Sequence, residues 1–187
     1  MRDGITDLHF GITSDIIRHE GVLDRWRVES GFVDIAHTLQ NIIPYNYLRH
    51  LIDAVTPLYM CNRLPGAAGA LITQRDKVIY GWVGPTLLSP SCKTAGCEMV
   101  DGHCVRNVHA EVQAIIRAAK HGLSTDGVTI YSILKPCYNC SKAIIHAGIT
   151  NIFYAGAAYD EERTNAILKN ADVGSTHIDV GLEYGNE

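Results

Sequence analysis

The sequence predicts an α/β fold in which a partly parallel sheet carries helices on its faces. Three observations predict it. Two apolar runs around a polar turn, Gly69 to Trp82, read as a β-hairpin. A helix-period segment follows from His109 to Gly122. The chain then twice passes from a short apolar run into an amphipathic helix, between Gly127 and Gly148 and between Asn151 and Ala171. The order is β-β-α-β-α-β-α, and strands alternating with helices pair in parallel.

Along the chain, residues 1 to about 33 give no consistent period. Ser14 offers a helix N-cap, but glycines at positions 21 and 31 interrupt the segment after it. From Phe32 to Met60 the chain reads as mostly helical, with Phe32, Ile35, Leu39, Ile42 and Ile43 at helical spacing. Pro44 and Pro57 are expected to limit each helix, because proline lacks an N–H and crowds the preceding turn. The hairpin "GALITQRDKVIYGW" turns at Gln74 to Lys77. The stretch "VGPTLLSPSCKTAGCEMVDGHC" is rich in Pro, Gly and Ser and reads as a long loop, of the kind that is usually functional or pinned.

"HAEVQAIIRAAKHG" reads as a helix with Val112, Ile115, Ile116 and Ala119 on its apolar face and Gly122 as its stop. "GVTIYSIL" is a buried strand, "CYNCSKAIIHAG" a helix, "NIFYAG" a strand and "DEERTNAILKNA" a helix. "THIDVG" offers a last short strand.

Composition narrows the function classes. The 187 residues suffice for one domain with a sizeable core. Apolar residues at 47% and charged residues at 19% exclude disorder and a coiled coil. A net charge of −4 counts against a dedicated polyanion binder, so nucleic acid is not the expected partner. No apolar run has the length of a signal-peptide core or a membrane span. The expectation is a cytoplasmic protein without membrane contact, whose six cysteines are ligands or free thiols rather than disulfides.

The chemistry is concentrated in two segments. His109 and Glu111 stand at the head of one helix, directly after the long loop. Cys137 and Cys140 stand at the head of the next, directly after a buried strand. C-x-x-C at a helix N-terminus points two sulfurs the same way, and the free N–H groups there favour the thiolate that binds zinc. Two thiolates and one imidazole leave the fourth tetrahedral position for water, as in catalytic zinc sites. Glu111 is then free to shuttle protons. A closed structural zinc, with His103 or Cys104 as fourth ligand, or a Cys-x-x-Cys redox pair, are the alternatives. The redox pair has no use for His109 or Glu111. The full H-x-E and P-C-x-x-C pattern is that of zinc deaminases.

The segment from "GCEMVDGHCVRNVHAEVQAI" through "LKPCYNCSKAIIHAG" to "AAYDEE" resembles the deoxycytidylate (dCMP) deaminase family, in particular the bacterial and phage branch that includes the ComE-operon deaminases. The similarity runs from about Cys61 to about Val173 and extends beyond the zinc motif to "DGHC", "STDG" and "AGI". The resemblance implies a cytidine-deaminase-like three-layer α/β/α sandwich with a mixed five-stranded sheet. Residues 34–187 would form the zinc-dependent CMP/dCMP-type deaminase domain and residues 1–33 an N-terminal extension. It implies hydrolytic conversion of dCMP to dUMP and ammonia, supplying thymidylate synthesis, in a homo-oligomer, usually a hexamer. It also implies dCTP and dTTP effectors acting with Mg2+.

By the same resemblance Zn2+ is bound by His109, Cys137 and Cys140, and Glu111 is the catalytic proton shuttle. The backbone at Pro136 and Cys137 lies near the attacking water. Ala110 lies against the pyrimidine, and Tyr159 matches a tyrosine near the nucleotide. Cys92, Cys97, His103 and Cys104, with Cys61 before the hairpin, are candidates for a second, structural metal whose ligand set the sequence leaves open. His121, His146 and His177 read as surface or cap residues. Arg106 and Lys120 flank the motif helix as candidates to meet a phosphate, though basic helix residues are mostly solvated.

One departure is plain. The family hairpin ends in Gly-Tyr-Asn-Gly, and its asparagine binds the sugar. Here the place reads Gly81-Trp82-Val83-Gly84, and valine offers no side-chain hydrogen bond. That opens the alternative of a modified deoxycytidylate or another nucleoside or nucleobase substrate. A non-catalytic zinc-stabilised module is the reading from another class.

Overall fold

A computed structural model describes residues 5–6, 35–55, 69–74, 77–86, 88–100, 103–157 and 160–181. In chain order the elements are β1 (Ile5–Thr6), α1 (Ile35–Val55), β2 (Gly69–Gln74), β3 (Lys77–Trp82) and β4 (Gly84–Pro85). Then come α2 (Cys92–Ala95), β5 (Met99–Val100), β6 (His103–Cys104), β7 (Asn107–Val108) and α3 (Ala110–Lys120). The last third holds β8 (Thr129–Leu134), α4 (Tyr138–His146), β9 (Asn151–Gly156), α5 (Glu161–Asn170) and β10 (Gly174–His177).

The main sheet has the order β1-β3-β2-β8-β9-β10. The β2–β3 hairpin pairs from Gly69↔Trp82 to Gln74↔Lys77, at the turn the sequence indicates. β2 meets β8 antiparallel, whereas β8–β9 and β9–β10 are parallel. The sheet is therefore mixed, as expected, but has six strands rather than five among the described residues. The extra one is β1, whose two residues pair with Ile79 and Val78 at the edge of β3.

Strand alternation explains the layers. Val78 and Tyr80 of β3, with Tyr131 and Ile133 of β8, face α1 and bury its Leu48 and Leu51 completely. Ile79 of β3 and Ile130 of β8 face the other way, onto Ala110, Ala114 and Ala118 of α3, Ile144 of α4 and Leu168 of α5. Among the described residues, α1 covers one face and α3, α4 and α5 the other.

The structure differs from the sequence reading in four further places. Pro44 lies inside α1 rather than ending it. The lost hydrogen bond and ring clash cost about 3 kcal/mol. The turns beyond it bury Leu48 and Leu51, each contributing ~1.5–3 kcal/mol, and that packing holds the helix across the proline. The face of α3 is also not the expected one. Its buried residues are Ala110, Glu111, Ala114 and Ala118, while Ile116 is 56% exposed. The cause is close approach: a Cβ on Gly81 would fall 2.0 Å from the Ala110 carbonyl oxygen and 2.6 Å from the Ala114 nitrogen. The helix seated this deeply sets Ala110, Ala114 and Ala118 in the core, with Ile115 packed at its margin and Ile116 turned outward.

The third difference is the long loop, which carries short structure of its own. β4 pairs with β7, β5 pairs with β6, and α2 lies between them. The fourth is the last strand, β10, which begins at Gly174, ahead of the expected stretch.

Candidate active site and metal centre

The two motif segments arrive at one place because each starts a helix on the same face of the sheet. His109 is the N-cap of α3 and Cys137 the N-cap of α4, both with extended backbone and neither using its side chain to cap. Both side chains are thus free to face one another. His109 Nδ1 lies 3.6 Å from Cys137 Sγ and 3.4 Å from Cys140 Sγ. All three donor atoms lie within 4.8 Å of one another. With Zn–S near 2.3 Å and Zn–N of about 2.0–2.1 Å, a shared tetrahedral ion sets N and S about 3.5 Å apart. The donor set and its spacing therefore fit zinc.

Glu111, two residues on, is 6% exposed. Ser132 Oγ, from the same face of β8 as Ile130, donates to its Oε1 at 3.2 Å. Burial pushes the Glu111 carboxyl above its ordinary value, and the charge of His109 pulls it partly back. The hydrogen bond to Cys137 raises His109, against the effect of burial. The two sulfurs behave as a pair. The Cys140 contact brings Cys137 down to about 3 despite burial, and the same contact pushes Cys140 up. A divalent cation between the two sulfurs would ionise both.

A cavity of about 570 Å³ opens on this cluster. His109, Cys137 and Cys140 line it together with Cys104, Lys142 and Arg163. Beside it stands the second thiol cluster. Cys92, Cys97 and Cys104 also bring their sulfurs within 4.8 Å of one another, with Cys92 Sγ and Cys104 Sγ 3.5 Å apart. Cys92 is fully buried, and Asn107 Nδ2 donates to its sulfur at 3.1 Å. For Cys104 burial acts upward. The Arg106 backbone, the Cys92 thiol and further hydrogen bonds outweigh it and lower the thiol.

Of the expected site residues, the structure brings His109, Glu111, Cys137 and Cys140 together, and Cys92, Cys97 and Cys104 beside them. Ala110 packs in the core against β3, and its side chain is only 2% exposed. Tyr159, Cys61 and the side chain of His103 lie outside the described residues. Arg106 pairs with Glu98 at 3.4 Å, and Lys120 is exposed in the last turn of α3; neither lines the cavity. His121 is a helix C-cap, His146 ends α4, and His177 Nε2 lies 2.8 Å from the Ala155 carbonyl oxygen.

The sequence reading missed Lys142 and Arg163. Lys142 stands one turn after Tyr138 on α4, a spacing that could have placed it at the motif. Arg163 comes from another helix and carries no sequence signal.

A family model described as the cytidine and deoxycytidylate deaminase zinc-binding region matches residues 47–156. ComE operon protein 2 of Bacillus subtilis is 42% identical over 96 residues, 51% of this chain and 50% of that protein. Deoxycytidylate deaminase of Enterobacteria phage T4 is 41% identical over 68 residues, 35% of each chain. The chain thus spans half or less of the length of these curated relatives. Among solved structures, dCMP deaminase from the cyanophage S-TIM5, in complex with dCMP and dUMP, aligns with a TM-score of 0.61 at 26% identity, over 73% of this chain and 96% of that one. The fold is that of the cytidine-deaminase-like proteins.

Proposed function

This chain belongs to the cytidine and deoxycytidylate deaminase family, and from that premise we propose that it hydrolyses dCMP to dUMP and ammonia. The observation that carries the reading is the buried Glu111 carboxyl beside three donors spaced for one tetrahedral cation. The phage T4 relative named deoxycytidylate deaminase and the phage dCMP deaminase structure with dCMP and dUMP support the same substrate.

Zinc held by His109, Cys137 and Cys140 would supply a Lewis acid that makes a water acidic near neutral pH. The remaining work falls to the protein. Glu111 accepts the proton of the attacking water on a carboxylate oxygen. As oxygen bonds to C4 of the pyrimidine, that proton passes to the ring nitrogen. Glu111 then takes the remaining proton from the hydroxyl on C4 and gives it to the 4-amino group; the C–N bond breaks, ammonia leaves, and the C4 carbonyl forms. The raised pKa of Glu111 suits both halves of this transfer, because a shuttle must be able to hold the proton it moves. Ser132 fixes one carboxylate oxygen by its hydrogen bond, so the other is the one that moves the proton.

The proposal includes a structural metal on Cys92, Cys97 and Cys104, with His103 and Cys61 as the candidate fourth ligands. By family resemblance it extends to a deaminase domain over residues 34–187 with residues 1–33 as an extension. It further extends to a role in thymidylate supply in the cytoplasm, a hexameric assembly, and dCTP and dTTP effectors with Mg2+. No helix among the described residues is long and apolar enough to cross a membrane.

A second reading, a deaminase of a modified deoxycytidylate or another nucleoside, is favoured by one observation. Val83 is 6% exposed and packed in the core, so the place of the family's sugar-binding asparagine offers no polar side chain. A product screen of dCMP, its 5-substituted derivatives, cytidine and CMP with the zinc-loaded protein tests both readings. Conversion of dCMP with the best kcat/KM is expected. Preference for a 5-substituted derivative selects the second reading, and no ammonia from any of them removes both.

A further inference from the structure

The cavity at the metal cluster holds a buried polar side chain that the chemistry at C4 does not use. Asn107 of β7 lines it and is only 7% exposed. Strand alternation sets this side chain on the same side as that of His109, two residues on, whose backbone is still extended. The amide has a fixed direction. Its Nδ2 donates to Cys92 Sγ at 3.1 Å, because a sulfur acceptor takes the N–H end of an amide. The other end, Oδ1, is buried and has no hydrogen-bond partner among the described residues. An acceptor in that state gains from any donor a ligand brings to it. Val105, Val108 and Val112, which line the same cavity, bring none from their side chains. The sheet also places Asn107 beside the departure at the hairpin end. β4 follows Val83 directly and pairs with β7 through Gly84↔Val108 and Pro85↔Asn107. Val83 is packed in the core, so the neighbouring strand supplies an amide where the hairpin end does not.

We propose that Asn107 is the specificity-determining residue for the sugar in this cavity: its Oδ1 accepts a hydrogen bond from the ligand's 3′-hydroxyl, the contact that Val83 cannot make. The inference rests on the deaminase reading for the class of ligand but has its own observable, the worth of one hydroxyl. A 2′-deoxynucleoside 5′-monophosphate carries a single free hydroxyl on its sugar, the 3′, and a hydroxyl is a donor that an amide oxygen accepts. A site built to bond a ligand hydroxyl rejects the analogue lacking it, because its own buried polar group is then left unpaired. Since Nδ2 is held by Cys92, the thiol cluster of the long loop is what directs Oδ1. Asn107 thus gives that cluster a hold on the ligand.

The test uses the zinc-loaded full chain and two ligands that are not turned over, dUMP and 2′,3′-dideoxyuridine 5′-monophosphate, which differ only in the 3′-hydroxyl. Calorimetry of the wild type is expected to give about ten- to a hundredfold tighter binding for dUMP, the range of a buried acceptor left unpaired. In Asn107→Leu, close in size and without a polar side-chain atom, the two ligands should bind alike. Asn107→Ala, which only shortens the side chain, should do the same and serves where leucine is not accommodated. Asn107→Asp keeps an acceptor oxygen and should keep part of the preference; its charge acts on the phosphate of both ligands equally. A merely structural role for Asn107 weakens both ligands by one factor and leaves their ratio at the wild-type value, and that result overturns the inference. Equal binding of the two ligands by the wild type overturns it as well, while dCMP deamination stands or falls by its own assay. A hydroxyl preference that vanishes with Asn107 in a protein that deaminates nothing upholds it and removes the deaminase reading instead.

Discussion

The Nδ1 of His109 lies 3.4 Å from the Sγ of Cys140 across 31 residues of chain. That closeness is the product of two helix starts, each preceded by a strand, meeting on one face of the sheet. It turns a pair of short motifs into one centre, and it makes several outcomes definite.

Glu111→Gln should fold and keep its zinc, because the carboxylate is not among the three clustered donors and glutamine preserves its size. The rate of dCMP conversion should fall by about 10²–10⁴-fold, the usual worth of a general acid–base group. Loss of dCMP absorbance, followed beside metal analysis of the same sample, measures both. Normal turnover would remove Glu111 from the mechanism.

Gly81→Ala should disturb the centre from a distance. The new Cβ meets backbone atoms of α3 at 2.0 and 2.6 Å, and backbone cannot step aside as a flexible side chain would. Overpacking of this kind costs about 1–3 kcal/mol or more. Since α3 carries His109 at its head and Glu111 in its first turn, zinc affinity should drop together with stability. Urea unfolding and a competitive zinc titration are the measurements. Wild-type values in both would show that the helix has room the geometry denies.

Metal content separates the two thiol clusters. Wild-type protein should hold two zinc ions per chain, and Cys92→Ala one. Cys137→Ala should also hold one, but with activity lost. A wild-type content of one ion per chain would leave Cys92, Cys97 and Cys104 as thiols.

The zinc-free protein should show a pH dependence traceable to Glu111. Its folded pKa lies above the ordinary 4.5 because burial penalises the charge. Below 4.5 the carboxyl is protonated in both folded and unfolded chains and costs nothing. As the pH rises through the folded value, the unfolded chain has already released the proton, so stability declines. Glu111→Gln, compared by urea unfolding in chelator at pH 5 and pH 8, should reduce that decline and be the more stable protein at the higher pH. Identical slopes for the two proteins would assign the decline to other groups.

Much of this molecule was legible one residue at a time. The hairpin register, the order of strands and helices, and the candidate metal donors with the carboxylate beside them all follow from local pattern. A strand, a turn and a helix start are each specified within about ten residues, and zinc ligands are chosen for their chemistry. The misjudged elements are those where a distant partner overrides local preference. Pro44 stays helical because Leu48 and Leu51 find the sheet. Ile116 faces outward because α3 approaches Gly81 closely through its three alanines and turns that position to solvent.

The sequence by itself determined what chemistry the chain could perform, since side-chain types and their spacing along a helix survive in any reading of it. Only the tertiary structure decided what surrounds that chemistry. It buries Glu111 under Ser132, sets a second thiol cluster against the cavity, and brings Arg163 from one helix and Lys142 from another over the same tyrosine ring. The physical reason is that local pattern fixes which face of an element is apolar, while proximity between elements is fixed by packing, which has no signature in a single chain's order of residues.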